Sequence, residues 1–466
     1  MSKRRLFLYS ILLGILGWAF PFFTGQYIEI KYQEFLPRMT ELGQVVFEPI
    51  SYERHWRRSK AKTRVILTDL AWQKWVALLN HPLKPTIEKI PPIPLVLEHE
   101  ILHGPLIQLH EGNWRAWKAA RVIIRSKLSL TDEARKIIEA QAGTSDLINF
   151  ETMMSLLEGQ VVVNLNGPSF RTVEQPKEAP AAWGGIKGVW ETNSHFDKIK
   201  GRLLLPGFNF DIYGDTYLGS DIALEADRFR DAEGVWQGNW RSSIQNLLLD
   251  DVIEEVKLKV VGLLFSGHLE EKEGLADHNF LFRAEVIHYQ DETFGPVSLN
   301  ASFNHVPKPI LQLVSTLIQN RPPESPPLDF IFGNLHFQRL LPTLLEARPT
   351  FGVEALQIKT PNGLIRGIFR FTVGGKDANN LTKPKNVINS MDALFMLDIP
   401  KEDFKALLKT TLHEADDKHV NEKIISWMKE GYVKELGSHY QMDMAMKDRQ
   451  LTVHGEKREI PKEWFH

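Results

Sequence analysis

The five residues His99-Glu100-Ile101-Leu102-His103 carry the sharpest catalytic pattern in the chain. H-E-x-x-H on a helix sets two imidazoles one turn apart on one face. There both reach a single zinc ion, and the glutamate activates the water bound to it. That chemistry makes an exported zinc-dependent hydrolase one reading, with His99 and His103 as metal ligands and Glu100 as base. The flanks argue for another backbone. Pro91, Pro92 and Pro94 precede the pattern, Leu95-Val96-Leu97 is strand-like, and Gly104-Pro105 closes it. In a strand the two histidines lie roughly 13 Å apart at ~3.3 Å per residue. Ligands that sit ~2.0–2.1 Å from one zinc cannot be so far from each other. The expectation is therefore an outward-facing strand with His103 fitting a turn at its end, no metal and no cofactor.

Other catalytic chemistry finds little support. The 466 residues include no cysteine, which excludes a disulfide framework, a thiolate metal site and a cysteine nucleophile. Gly374-Gly375-Lys376 is too short for a phosphate loop, and no G-x-S-x-G occurs. The 56 basic residues against 58 acidic ones leave no footprint for nucleic acid.

Two patterns read as binding surfaces. Arg54, Arg57, Arg58, Lys60 and Lys62 surround Trp56 in a basic run. Such a run either meets anionic lipid headgroups, at ~1 kcal/mol per cation near a membrane surface, or forms a solvated strand face. Phe208 with Phe210 and Phe280 with Phe282 recur at i, i+2, as do Phe369 and Phe371. On strands these pairs either pack a core or line an apolar groove for lipid.

The elements that position these residues begin with an apolar run. Residues 6–23 hold no charge and follow Lys3-Arg4-Arg5. A helix of that length can cross a hydrocarbon core of ~30 Å at ~1.5 Å per residue. Cations on one side keep the N-terminus cytoplasmic and send the rest across. A cleaved signal peptide has a shorter apolar core and a small-residue site, for which Gly17-Trp18-Ala19 is a poor match. The expected organisation is a tip and anchor over 1–25, an amphipathic stalk helix over 26–46, and a β-rich exported domain over 47–306. A proline-rich linker with a short helix over 307–327 and a C-terminal α+β domain over 328–466 complete it. The fold class is mainly β (α+β), with long, curved antiparallel sheets and a few short helices. Clean alternation in Phe208-Asn209-Phe210-Asp211-Ile212 and an Asn362-Gly363 turn between alternating runs carry that reading.

Several stretches, taken in order, resemble the YdgA-like family of bacterial inner-membrane proteins, a domain of unknown function. The anchor followed by Thr24-Gly25-Gln26 is similar to its N-terminus, and Tyr52-Glu53-Arg54-His55-Trp56 with Ser59 and Ala61 is similar to its Y-x-R-G-[WF]-x-S-x-A element. His55 stands in place of that glycine. Ile101 to Pro105, Leu340 to Leu345 with Thr360-Pro361-Asn362-Gly363, and Asp448 to Gly455 look like further family elements, with Arg449 replacing a glycine. The resemblance implies a protein tethered to the inner membrane with its bulk in the periplasm, and it supplies no catalytic residues.

The sequence therefore leads to a single-pass, non-catalytic binding or scaffolding protein of the cell envelope. Its partners are the bilayer through residues 6–23, and a lipid, an envelope protein or a second copy of the chain. A phosphatase reporter that folds only on the exported side, fused after His466, should be active. Replacing Lys3, Arg4 and Arg5 with Glu should lower that activity, and an inactive but stable fusion would reverse the orientation.

Overall fold

Runs of period 2 dominate the chain, and they form antiparallel strands. The computed structural model describes residues 21–459, apart from 35, 38–39, 41–44, 70–71, 74–94, 105, 109–116, 131, 133–134, 137–138, 140–142, 156–158, 173–181, 213–214, 252–254, 323–324, 375–389, 413–415 and 449. Twenty-four of the described strands are joined in antiparallel sheet, and a further two pair only with each other. The mainly β class is the one observed. No helix among the described residues is long and apolar enough to cross a membrane, and residues 6–20 of the expected span lie outside the described residues. Two compact units divide the chain, residues 1–206 with 319–327 and residues 207–318 with 328–466.

In the first unit, helix α1 (residues 21–34) precedes a meander of short strands. β1 (Val45–Arg54) pairs with β2 (Arg58–Leu67), and β2 with β3 (Leu95–His103). A separate hairpin of β4 (Leu106–Gln108) and β5 (Trp117–Ala119) intervenes. The ladder resumes with β6 (Val122–Ser129), β7 (Asn149–Met154) and β8 (Val161–Gly167), each on its predecessor and β6 on β3. β9 (Phe170–Arg171) and β10 (Ala182–Trp183) make a second excursion. β11 (Ile186–Thr192) then pairs with β8 and with the first part of β12 (Lys198–Ile212). Ser59, Ala61 and Thr63 alternate with exposed cations along β2, so one face of that strand is buried and the other wet. α1 covers the buried face, where Ile28 packs with Ala61, Ile101 and Val122. On the opposite face Ile107 of β4 packs with Leu102 and Ile123.

The second unit is built on much longer strands. β13 (Asp215–Arg230), β14 (Trp236–Asp251) and β15 (Val256–Lys272) run 16, 16 and 17 residues. β15 then pairs along one half with β16 (Leu275–Ala284) and along the other with β17 (Val286–Tyr289), which turns back as β18 (Glu292–Phe294). β19 (Val297–Pro307) joins β16, and β20 (Thr350–Thr360), β21 (Gly363–Val373) and β22 (Met391–Pro400) extend the ladder in order. β24 (His439–Lys447) pairs with β22 and with the short β23 (Lys434–Leu436), and β25 (Gln450–Val453) and β26 (Glu456–Arg458) finish the unit.

Helices cover this sheet only in places. α2 (Lys308–Asn320), α3 (Pro327–Phe332) and α4 (Leu335–Glu346) bury a cluster of Ile310, Leu317, Ile331 and Phe337 against Val306. Lys308 opens α2 and pairs with Asp231 at 2.7 Å and with Glu233, which pins the helix to the β13–β14 turn. Burial alone would raise the Asp231 carboxyl. The donors of Lys308, Val235 and Gln237 hold it down at about 2. α5 (Lys401–Leu412) and α6 (Asp417–Lys429) pack Phe404, Leu408, Val420 and Ile424 onto Ile399 and Tyr440. α6 begins beyond Asp416, whose side chain accepts from Lys418 N and caps the helix.

Phe404 is 2 % exposed and lies 5.5 Å from the Tyr440 ring. Phe404→Ala should therefore lower the free energy of unfolding by about 3–5 kcal/mol, the usual cost of an emptied aromatic site. Urea titration followed by far-UV circular dichroism would measure it.

Candidate functional site

The strand that carries H-E-x-x-H points its residues alternately to two faces. His99, Ile101 and His103 turn inward to α1, while Glu100 turns to the other side and pairs with Arg58 at 3.2 Å and Arg125 at 3.7 Å. The helix on which this pattern binds zinc is absent here, and the glutamate cannot serve a site between the two rings. The expectation of outward histidines fails too. Ile101, fully buried between them, commits their shared face to the core of the first unit.

Each ring sits in its own set of hydroxyls. His99 Nε2 contacts Thr63 Oγ1 at 2.7 Å and its Nδ1 contacts Ser126 Oγ at 2.7 Å. Thr63 Oγ1 lies 2.5 Å from the Tyr32 hydroxyl, so a polar chain runs Tyr32–Thr63–His99–Ser126 beneath α1. His103 is 2 % exposed and shares a hydrogen bond of 3.2 Å with Ser59. Its ring lies against Gly25, where an added Cβ would come within 2.7 Å. A glycine is thus required there for α1 to approach. Burial pushes the His99 ring down to about 4. Burial also lowers His103, although the carbonyls of Pro21 and His55 oppose it. Both rings are neutral packing elements near pH 7.

The basic run lies on β1 and β2 and is interleaved with acids. Arg54 pairs with Glu29 at 3.0 Å, Arg58 with Glu100, and Lys62 with Glu98 at 2.9 Å. Lys60 stands in register between Glu53 and Glu100, and Arg57 lies over the Trp56 ring at 5.7 Å. Exposed pairs of this kind contribute about 0–1 kcal/mol each, and they leave little unbalanced charge on the run itself.

The phenylalanines converge on one surface of the second unit. Cross-strand register places Trp240, Gly267, Phe280, Ala301, Val353, Phe369, Phe395 and Met444 in one row. The next row toward one end carries Leu224, Ser242, Phe265, Phe282, Leu299, Leu356, Gly367 and Leu397. Beyond it come Ile222, Ile244 and Leu263, and on the other side Leu269, Phe303, Phe351 and Phe371. Ring contacts knit the surface, with Trp240 and Phe265 4.9 Å apart and Phe369 and Phe395 6.4 Å apart. Phe208 joins the same surface. A Cβ on Gly219 would meet both the Phe208 ring and Ile222, whose sides of β13 are brought together by the positive φ of Asp221. Phe208 stacks on Phe210 at 5.5 Å. The reverse face is polar, with Asn239, His268, Asn279, Ser302 and Arg370 in register.

This apolar surface is not a closed core. Leu224 is 45 % exposed, Phe265 41 %, Phe351 40 % and Phe303 37 %. Paired phenylalanines signalled it in the sequence, whereas Trp240 and Leu224 were missed because neither has an aromatic neighbour two residues away.

Among known proteins, the bacterial family described as protein of unknown function (DUF945) matches residues 1–461. The chain belongs to that family. No protein with a curated description and no solved structure matches it.

The buried histidines set a pH dependence. Stability contributed by a neutral His99 is full above its unfolded value near 6.5 and falls as the pH drops toward about 4. Between pH 7.5 and 5 the loss from this ring should be about 2 kcal/mol. Urea unfolding at the two values should show it, and His99→Gln should flatten the dependence by a similar amount.

Proposed function

We propose that this member of the DUF945 family is a non-catalytic envelope protein that binds lipid on the aromatic face of its second unit. Residues 6–23 tether it to the inner membrane, and the bulk of the chain stands in the periplasm. One observation carries the reading. A surface of successive apolar rows lies open to solvent at Leu224, Phe265, Phe303 and Phe351, while helices cover the sheet elsewhere. A monomeric protein rarely leaves so large an apolar patch without a use.

Hydrocarbon suits the surface better than a peptide does. Between β14 and β22 the two central rows carry no charged side chain and one hydroxyl, Ser242. A bound peptide would bring backbone groups that such a surface cannot satisfy. The strands from β13 to β22 span about 34 Å at ~4.8 Å per strand, wide enough for several acyl chains side by side.

Photo-crosslinking of the full chain in cells tests the reading. A benzophenone analogue of phenylalanine at position 265 or 351 should yield lipid adducts, identified by mass spectrometry of the purified protein. The same analogue at position 266 or 268, on the polar face, should yield none. Equal labelling of both faces, or adducts to polypeptide alone at 265 and 351, would refute lipid binding at this surface.

A further inference from the structure

One end of the apolar face departs from its chemistry. Register sets Arg228, Gly238, Leu269 and His278 side by side on four neighbouring strands, one row beyond Trp240 and Phe280. Arg228 is half-buried, donates from Nη2 to the Trp236 carbonyl at 2.9 Å, and lies over the Trp236 ring at 6.0 Å. Its Nε is buried without a partner, and no carboxylate among the described residues pairs with the guanidinium. The His278 ring packs 3.8 Å from Phe280, and its Nε2 is likewise buried with no partner. Between the two stand Gly238, which has no side chain, and the buried Leu269.

We infer that Arg228 and His278 receive the anionic headgroup of an acyl-chain lipid whose hydrocarbon runs along the strands, across the rows of Trp240 and Phe265. The inference rests on the lipid-binding reading above and adds a headgroup class and an orientation to it. An arginine without a counter-ion on an otherwise apolar surface lacks the partner that its charge and fork of donors require. An anionic oxygen supplies both an acceptor and the counter-charge, whereas a neutral acceptor such as the Trp236 carbonyl supplies only the first. Burial pulls Arg228 below its usual range. His278 is held at about 4 by burial, with the charges of Arg228 and His268 adding to it, so its ring is neutral near pH 7. A neutral ring with the proton on Nε2 adds a second donor for the same headgroup.

Dimensions agree. From Arg228 to Ile222 the apolar face continues for about 20 Å along β13, at ~3.4 Å per residue. That exceeds the ~15 Å depth of hydrocarbon in one leaflet, half of a bilayer core, so an extended acyl chain fits beside its headgroup.

The test uses the full-length chain held in an amphipathic polymer and two fluorescent probes with one chain, cis-parinaric acid and its methyl ester. The acid should bind at least tenfold more tightly than the ester. Arg228→Gln should bring the acid down to the ester's affinity and leave the ester unchanged, with Arg228→Lys falling between. Phe265→Ser should weaken both probes. If Arg228→Gln is unfolded by circular dichroism, His278→Phe keeps the ring stack and should weaken the acid several-fold without weakening the ester. Equal binding of acid and ester to the unaltered chain would overturn the headgroup site and leave the apolar reading standing. Failure of both probes to bind would overturn the two together. Inorganic phosphate should compete with the acid only weakly, and phosphate binding as tight as the acid's would make this a free-anion site.

Discussion

Two-faced alternation along an antiparallel ladder is the constraint on which the second unit depends. A slip of one residue in any strand would send its phenylalanines to the polar side. The ladder nevertheless contains irregularities, and their placement preserves the sorting. Between β19 and β20 the register shifts at Asn300/Ala301, and between β20 and β21 it shifts at Val353/Leu356. Both shifts arise from the same extra residue in β20. Its consequence is that Val353 and Leu356, three apart, share the apolar face. Glu354 is left on the polar face, where it pairs with Arg370 at 2.6 Å. A bulge acts here as a phase correction rather than as a break in the sheet.

The first unit solves a different problem with shorter strands. Its inner face carries hydroxyls and imidazoles beside Ile101 and Val122, so α1 must satisfy polar groups as well as bury apolar ones. Tyr32 does so through Thr63, and Gly25 lets the helix approach the His103 ring. These contacts matter because a buried polar group left unpaired costs about 1–3 kcal/mol. The catalytic appearance of His99 and His103 is a by-product of a strand whose inward positions are i, i+2 and i+4.

How much of this could be read from the sequence depended on the range of the interactions involved. The hairpin of β20 and β21 was legible because Asn362-Gly363 fixes its turn locally and Ile365, Phe369 and Phe371 show the period. β11 and β14 were not. In both, a tryptophan fills space over a glycine on a neighbouring strand, Trp190 over Gly201 and Trp240 over Gly267. Gly188 in β11 and Gly238 in β14 dilute the alternation of these strands, and the pairing of each tryptophan with its glycine is visible only across the ladder. Helix α4 likewise starts at Leu335, capped by Asn334, five residues before the leucine-rich piece that marked it. The aromatic surface was half legible. Pairs such as Phe280 and Phe282 announce an apolar face, but no local pattern says whether another element covers it.

Coverage is where the two kinds of phenylalanine in this chain part. Phe404 and Phe265 look alike in sequence, each an aromatic residue at a regular position of its element. Phe404 is 2 % exposed beneath α6, whereas Phe265 is 41 % exposed on the open sheet. An open apolar surface contributes less to folding than a covered one, because its transfer from water is incomplete. What the fold forgoes there is available to a ligand. A molecule that covers the surface completes the burial, and since it binds the folded sheet alone it stabilises that sheet by mass action. A ligand of the proposed kind would thus couple its binding to the folding of the second unit through the same rows of side chains. The bulge in β20 keeps that face apolar, and the helices, confined to part of the sheet, leave it open at Leu224, Phe265, Phe303 and Phe351.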